Sequence, residues 1–158
     1  MDASAGITDN ALLFGDMLPD GGVLLGLDLG TKTIGVATCD AGWRFATAGK
    51  TIPRSKFTKD AAILRTIAAE RKAAGLVIGL PRNMDGSEGP RAQASRAYAR
   101  NLYDTLALPV LLWDERWSTS SAEADMIGQK MSRAKRAERI DSHAAAVILQ
   151  GALDALTR

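Results

Sequence analysis

The sequence has little of what disulfide-stabilised, secreted and membrane proteins require. It contains a single cysteine, Cys39, among 158 residues, so we predict no internal disulfide and a reduced thiol in a strand. No stretch approaches the ~20 apolar residues of a membrane-spanning helix. The opening residues, MDASAGITDN, lack the basic start and apolar centre of a secretory signal. We therefore expect a cytoplasmic protein without a membrane partner.

The whole chain also carries little net charge, formally +2 at pH 7. The distribution is uneven, because residues 1–21 contain four acidic side chains and no Lys or Arg. The remainder is moderately basic, which is compatible with a phosphate-rich partner but is common in other proteins. Residues 1–21 also lack clear periodicity, and we interpret them as a loose N-terminal extension with one short helix around ALLFGDML. We predict that residues 22–158 form a single domain.

The apolar pattern of this domain predicts an α/β fold. Predicted strands cover 23–28, 33–40, 43–53, 76–81 and 108–116, and a tight turn joins the first two. Predicted helices cover 59–75, 91–106, 118–126 and 140–158. Three strands in series, followed by alternating helix and strand, predict a mixed sheet flanked by helices.

Three acidic residues stand at the ends of predicted apolar elements. Asp28 ends the first strand, Glu115 follows the strand PVLLW, and Asp141 opens the last helix. If these elements are neighbours, the acids repel one another unless divalent cations neutralise them, and Mg²⁺ or Mn²⁺ is the expected choice. Each acid also has a simpler explanation: a turn residue at 28, an ion pair with Arg116 at 115, and a helix N-cap at 141.

Four blocks of the sequence together resemble the YqgF/RuvX family, whose members are described as Holliday junction resolvases or pre-16S rRNA nucleases. The blocks are GLDLGTKTIGVA, GLPRNMDGSEGPRA, WDERWST and IDSHAAAVILQ, and they occur in the family's order. The resemblance implies a ribonuclease H-like fold with a mixed five-stranded sheet. It also implies that Asp28, Glu115 and Asp141 are the catalytic, metal-binding acids of a nuclease. We expect the 5′ end of pre-16S rRNA as the substrate, with the Holliday junction as the alternative.

Two polar segments are candidates for contact with nucleic acid. The loop RNMDGSEGP is rich in glycine, and its Gly86 and Gly89 permit positive φ and close approach to a ligand. The basic run over 130–139 suits a phosphate backbone. Both segments have a plainer interpretation as solvated surface. Our candidate nucleic-acid-binding residues are Lys32, Arg82, Asn83, Gly86, Glu88, Arg116, Lys135 and Arg136.

Two further residues lie near Asp141 in sequence. Glu138 precedes it by one helical turn and can share its face, whereas the resembled family commonly has a basic residue there. We prefer the simpler interpretation, a solvated glutamate in a basic tract. His143, the only histidine, is about 200° around a helix from Asp141 and cannot share its face. We interpret His143 as a structural residue.

Two other functional classes can be compared with the nuclease. DLGTKTIG resembles the phosphate hairpin of the actin and sugar-kinase superfamily, but those phosphotransferases need two such domains and this chain is too short. A nucleic-acid-binding module without catalysis is the other class. It would bind phosphates more easily without three converging negative charges. The sequence leaves open whether the protein is a monomer or a homodimer, although a resolvase needs two symmetric active sites.

Overall fold

The computed structural model describes residues 6–117 and 133–157, with side chains for 6–116 and 142–157. Its strands are β1 (Ile7–Thr8), β2 (Val23–Leu29), β3 (Thr33–Cys39), β4 (Ala46–Pro53), β5 (Ala73–Leu80) and β6 (Val110–Asp114). Its helices are α1 (Ala11–Asp16), α2 (Phe57–Arg71), α3 (Pro90–Leu106) and α4 (Arg133–Leu156), and a short 3₁₀ turn covers Glu115–Trp117.

The strands form one mixed sheet in the order β1-β6-β5-β2-β3-β4. Strands β2, β3 and β4 are antiparallel neighbours, whereas β2, β5, β6 and β1 run parallel to one another. This arrangement confirms the predicted class, a mixed α/β sheet flanked by helices. The sheet has six described strands instead of the expected five, and the additional strand is β1.

Both faces of the sheet are covered. Helices α2 and α3 pack on one face, where Leu25 and Leu27 of β2 are fully buried. Helices α1 and α4 pack on the other face, against residues such as Leu24 and Val77. Burial on both faces explains why β2 and β5 read as continuous apolar runs. Cys39 is free and buried on the α4 side, as predicted.

The N-terminal extension is not loose over its described part. β1 adds to the sheet beside β6, with Ile7 opposite Val110. The Asn10 side chain caps α1 by accepting hydrogen bonds from two backbone N–H groups, and Phe14 of that helix is fully buried. The short helix predicted around ALLFGDML is present as α1, whereas the prediction missed β1, because a strand of two residues has no periodicity to detect.

Two helix boundaries differ from the prediction. Helix α2 ends at Arg71 instead of reaching Gly75, because Lys72 adopts the left-handed conformation that closes helices (φ 54°). Helix α4 begins at Arg133, so Asp141 lies inside it and is not its N-cap. The predicted helix over 118–126 falls outside the described residues. Within the described ranges, no helix combines the length and apolar character that crossing a membrane requires.

Candidate active site

The sheet brings Asp28 and Glu115 together at one edge. Strands β2 and β6 flank β5 and run in the same direction, so their carboxyl ends lie side by side. Asp28 is the penultimate residue of β2, and Glu115 directly follows β6. Their half-buried carboxyl groups are hydrogen-bonded to each other. Two of the three predicted acids are therefore in direct contact, at the place where open α/β sheets gather their sites.

Gly79 of β5 creates the space that the Glu115 side chain occupies. A Cβ atom at Gly79 would overlap Glu115 Oε1 and lie 2.7 Å from Ile148 Cδ1. Because Gly79 has no side chain, it leaves room for the Glu115 side chain between β2 and β6, the strands that lead to the two acids. Our sequence interpretation missed this residue. The available signal was a glycine inside an otherwise apolar strand, a pattern that often marks close approach.

The contact between the two acids perturbs their ionisation. Burial, and then the negative charge and hydrogen bond of Asp28, raise the pKa of Glu115 to about 8, while the positive charge of Arg91 opposes that rise. A hydrogen bond between two carboxyl groups requires a proton on one of them. Near neutral pH the pair therefore shares one proton and carries one negative charge.

Helix α4 crosses the sheet on the same side as this pair. Its residues Ala145 and Ile148 are buried against the sheet, and Ile148 reaches Gly79. Position 141 precedes them by four and seven residues, which puts the three positions on one helical face. The side chains of Asp141 and Glu138 lie outside the described set. Among the described side chains, no group of three potential metal ligands is gathered.

The remaining residue of interest on α4 is His143, which is half-buried. It forms contacts within the protein and is not a free side chain. The candidate nucleic-acid-binding residues Lys135 and Arg136 also lie on α4, but their side chains are not among those described.

The loop between β5 and α3 is ordered by its own hydrogen bonds. The Asn83 N–H donates to Ser87 O and the Gly86 N–H donates to Asn83 O, both at 2.9 Å. Gly86 has the positive φ that the sequence suggested, 89°, whereas Gly89 is extended with φ −87°. Met84 stands at the tip with 89% of its surface exposed. The loop is therefore held by its own hydrogen bonds and presents one large apolar side chain, Met84, among polar residues.

Arg82 ties this loop to two other segments. Its guanidinium lies 3.1 Å from Asp9, 3.4 Å from Glu88 and 3.6 Å from Asp114. Glu88 also accepts two hydrogen bonds from Arg96, at 2.5 and 2.7 Å. These contacts hold the pKa of Glu88 below its usual range, with the Arg96 hydrogen bond as the main cause. Arg82 and Glu88, predicted to bind nucleic acid, are thus engaged within the protein.

Arg116 is engaged in the same way. Its side chain forms a fork with Asp114, with contacts of 2.6 to 3.1 Å, and donates to Met84 O at 3.3 Å. Arg116 therefore connects the end of β6 to the loop between β5 and α3, and it stabilises the 3₁₀ turn that contains Glu115. Lys32, in contrast, is exposed at the turn between β2 and β3.

Comparison with known proteins agrees with this arrangement. A family model described as RuvX, Holliday junction resolvase, matches residues 22–155. A protein of Novosphingobium aromaticivorans, named as a proposed pre-16S rRNA nuclease, is 68% identical over 150 residues, covering 95% of this chain and 96% of that protein. A protein of Sphingopyxis alaskensis with the same name is 62% identical over 152 residues, covering 96% and 99%.

Solved structures share the architecture at low identity. Thermus thermophilus RuvC, in complex with a Holliday junction substrate, aligns with 86% of this chain and 96% of its own at a TM-score of 0.57 and 12% identity. The yeast mitochondrial Holliday junction resolvase Ydc2 covers 89% of this chain and 81% of its own at a TM-score of 0.50 and 14% identity. At such identities the likeness shows the fold alone, and it confirms the predicted fold class.

Proposed function

We propose that this chain, which belongs to the RuvX family, is a nuclease that hydrolyses phosphodiester bonds in structured nucleic acid. The observation that carries this proposal is the hydrogen-bonded pair of Asp28 and Glu115. A partly buried acid pair is costly to keep, and catalytic sites are where such perturbed groups concentrate. The family membership supplies the reaction class in which two adjacent acids have a use.

The chemistry of the acid pair fits a divalent cation. Carboxylate oxygens are the ligands that Mg²⁺ and Mn²⁺ prefer, and a cation offsets the repulsion that raises the pKa of Glu115. The cation would be held by Asp28, Glu115 and Asp141. Asp28 lies on β2, an inner strand that pairs with β3 and β5. When bound, the cation would activate a water molecule and stabilise charge at the scissile phosphate. Gly79 would allow Glu115 to adopt this position, because a larger residue at 79 would overlap the Glu115 side chain.

The substrate that we propose is the 5′ end of pre-16S rRNA, so the protein would act in rRNA processing in the cytoplasm. The names of the two similar proteins support this substrate. The description of the matching family model supports the Holliday junction as a second candidate. A resolvase would act as a homodimer with two sites, whereas an rRNA nuclease can act as a monomer.

Two surfaces would contact the substrate. One is the ordered loop around Asn83 and Gly86, shaped by the ion pairs of Arg82, Glu88 and Arg116. The other consists of basic positions, with Lys32 on the β2–β3 turn and Lys135 and Arg136 on α4 as candidates. Their positive charges would neutralise phosphates.

The test is cleavage of two substrates in parallel. The first is an RNA spanning the 5′ end of 16S rRNA with its leader, and the second is a four-way DNA junction, each with Mg²⁺, Mn²⁺ or EDTA. We expect metal-dependent cleavage of the RNA. The variants Asp28→Asn, Glu115→Gln and Asp141→Asn should lose more than about a hundredfold in rate, since even the outer partners of metal ligands contribute ten- to hundredfold.

The matched control is Asp104→Asn, which removes an exposed acid of α3 and should cut like the wild type. Cleavage of the DNA junction but not of the RNA would favour the second candidate function, Holliday junction resolution. Cleavage that persists in EDTA, or in the Asp28 and Glu115 variants, would contradict the metal-binding role of the acids.

A further inference from the structure

A small cavity lies at the carboxyl end of β2, where Leu29 and Gly30 form part of its lining. It has a volume of about 110 Å³ and is lined by the β2–β3 turn, the residue after β4 and the first turns of α3. The lining includes Gly30, Thr31, Arg54, Arg91 and Ser95, and no acidic residue. Gly30 comes two residues after Asp28, and the charge of Arg91 acts on Glu115. The cavity therefore lies at the same end of β2 as the acid pair, and the charged residues of its lining are positive.

Arg54 is held in place before any ligand binds. Its backbone N–H donates to Lys32 O at 2.8 Å, and its Nη1 donates to Gly30 O at 2.6 Å. The guanidinium also stacks over the Tyr98 ring, 5.1 Å from the ring centroid. A guanidinium has five N–H donors, so the others remain for a ligand. Because its rotamer is already fixed, little entropy is lost when it binds an anion.

Ser95 contributes a hydroxyl that has no internal use. The residue is 94% buried, with a relative exposure of 6%, and it lines the cavity. Thr66 and Thr105, also on helices, donate to the carbonyl oxygen four residues earlier. Ser95 makes no such bond, and its hydroxyl has no partner among the described residues. Its oxygen is not one of the fully buried polar atoms that lack a partner, so the hydroxyl is open to the cavity and can bond a ligand there.

Arg91 provides the second positive charge. It is exposed, in the first turn of α3, and forms no ion pair with a described carboxylate. It is thus available to an anion that enters from solvent. Two guanidinium groups, one hydroxyl and the start of a helix face the same small space, and all of them favour negative charge.

We propose that this cavity binds a phosphate group of the nucleic-acid strand, next to the phosphate that is cut. The inference rests on the proposed function for the identity of the strand, but not for the binding of phosphate itself. The bound group would be a phosphodiester within the strand, or a terminal 5′-monophosphate, which has the same chemistry. Binding there would fix the register of the strand relative to Asp28 and Glu115, because Gly30 is part of the same β2–β3 turn.

The test uses three variants of the full chain. Arg91→Gln removes one charge, and Ala94→Glu places a carboxylate at an exposed position that lines the cavity. Both positions are exposed, so folding should be unaffected. The matched control is Arg100→Gln, an exposed arginine of the same helix that does not line the cavity.

Affinity is measured in EDTA, where no hydrolysis is expected, by fluorescence anisotropy of labelled single-stranded RNA at several salt concentrations. We expect Arg91→Gln and Ala94→Glu to bind about tenfold more weakly than the wild type, as for the loss of one hydrogen bond to a charged group. The slope of log affinity against log salt should flatten by about 0.7 for Arg91→Gln. Arg100→Gln should show neither change.

Two further measurements separate the alternatives. RNAs with a 5′-hydroxyl or a 5′-phosphate are compared: a loss for both supports an internal phosphodiester, and a loss only for the phosphorylated RNA supports the terminal phosphate. Inorganic phosphate is titrated into the wild type and followed by NMR, where the amides of Gly30, Thr31 and Ser95 should shift. Variants that bind RNA like Arg100→Gln would overturn the inference and leave the proposed function intact. If the wild type neither binds nor cuts nucleic acid, the proposed function fails and the phosphate titration alone decides, with unmoved amides refuting the cavity as a phosphate site.

Discussion

Replacement of Glu115 by Gln should stabilise the metal-free protein at alkaline pH. In the wild type, burial and Asp28 raise the pKa of Glu115 from 4.5 to about 8. Because the folded pKa is the higher one, the stability associated with this group is fully present below pH 4.5 and is lost as pH rises through about 8. A glutamine stays neutral, and its amide N–H can donate to Asp28 in place of the shared proton.

The size of the effect follows from the pKa change. One pKa unit corresponds to 1.36 kcal/mol, so the change from 4.5 to about 8 sets an upper limit of about 5 kcal/mol. Glu115 is only half-buried, and solvent screens part of the repulsion. We therefore expect Glu115→Gln to gain about 2 kcal/mol over the wild type between pH 6 and pH 9. For a domain of this size that is a difference in Tm of about 4–8 °C.

The assay is thermal unfolding in EDTA at pH 6 and pH 9, with Asp104→Asn as the control for loss of an exposed acid. A second series contains Mg²⁺. At a concentration a hundredfold above its Kd, the ion should stabilise the wild type by about 2.7 kcal/mol, whereas Glu115→Gln should gain less. The reasoning is refuted if Glu115→Gln melts below the wild type at pH 9 in EDTA, or if the difference between them does not change with pH.

Two further predictions concern buried positions. Gly79→Ala should cost about 1–3 kcal/mol in urea unfolding, because its Cβ would overlap Glu115. The control Gly89→Ala, whose Cβ would have no neighbour closer than 3.5 Å, should cost less, at most about 1 kcal/mol for an alanine at the N-cap of α3. Equal costs would contradict the role of Gly79. Asp60→Asn should cost about 1 kcal/mol, because the buried carboxylate accepts hydrogen bonds from the Ser55 N–H and hydroxyl. The same change should lower the pKa of Tyr98, which burial and the charge of Asp60 raise to about 12, and an unchanged ultraviolet titration of tyrosine would refute that coupling.

The order of elements was predictable because local patterns determine it. Continuous apolar runs predicted β2, β5 and β6, and helical spacing predicted most of α2, α3 and α4. The boundaries were less accurate where the backbone departed from the usual residue preference. Lys72 ends α2 in a left-handed conformation that glycine usually adopts, so the prediction placed the end of the helix at the next glycine, Gly75.

The acid pair was predictable for a topological reason. The carboxyl ends of parallel strands that share a neighbour meet at one edge, so Asp28 and Glu115 could be expected to approach each other from the sequence alone. The partners of the loop residues could not be expected. Arg82 contacts Asp9 and Asp114, which come from distant parts of the chain, and no local pattern records such a contact. A polar loop residue that looks available for a ligand in sequence can thus be occupied in the fold.

The N-terminal segment illustrates how such a contact affects the site. It lies outside residues 22–155, which the family model matches, yet β1 pairs with β6, the strand that leads into Glu115. Without β1, strand β6 would end the sheet with one row of backbone groups unpaired, as an edge strand does. Asp9, just after β1, contacts Arg82, which in turn contacts Asp114. A segment that contains none of our candidate catalytic residues therefore supports the backbone and the charges on which the position of Glu115 depends.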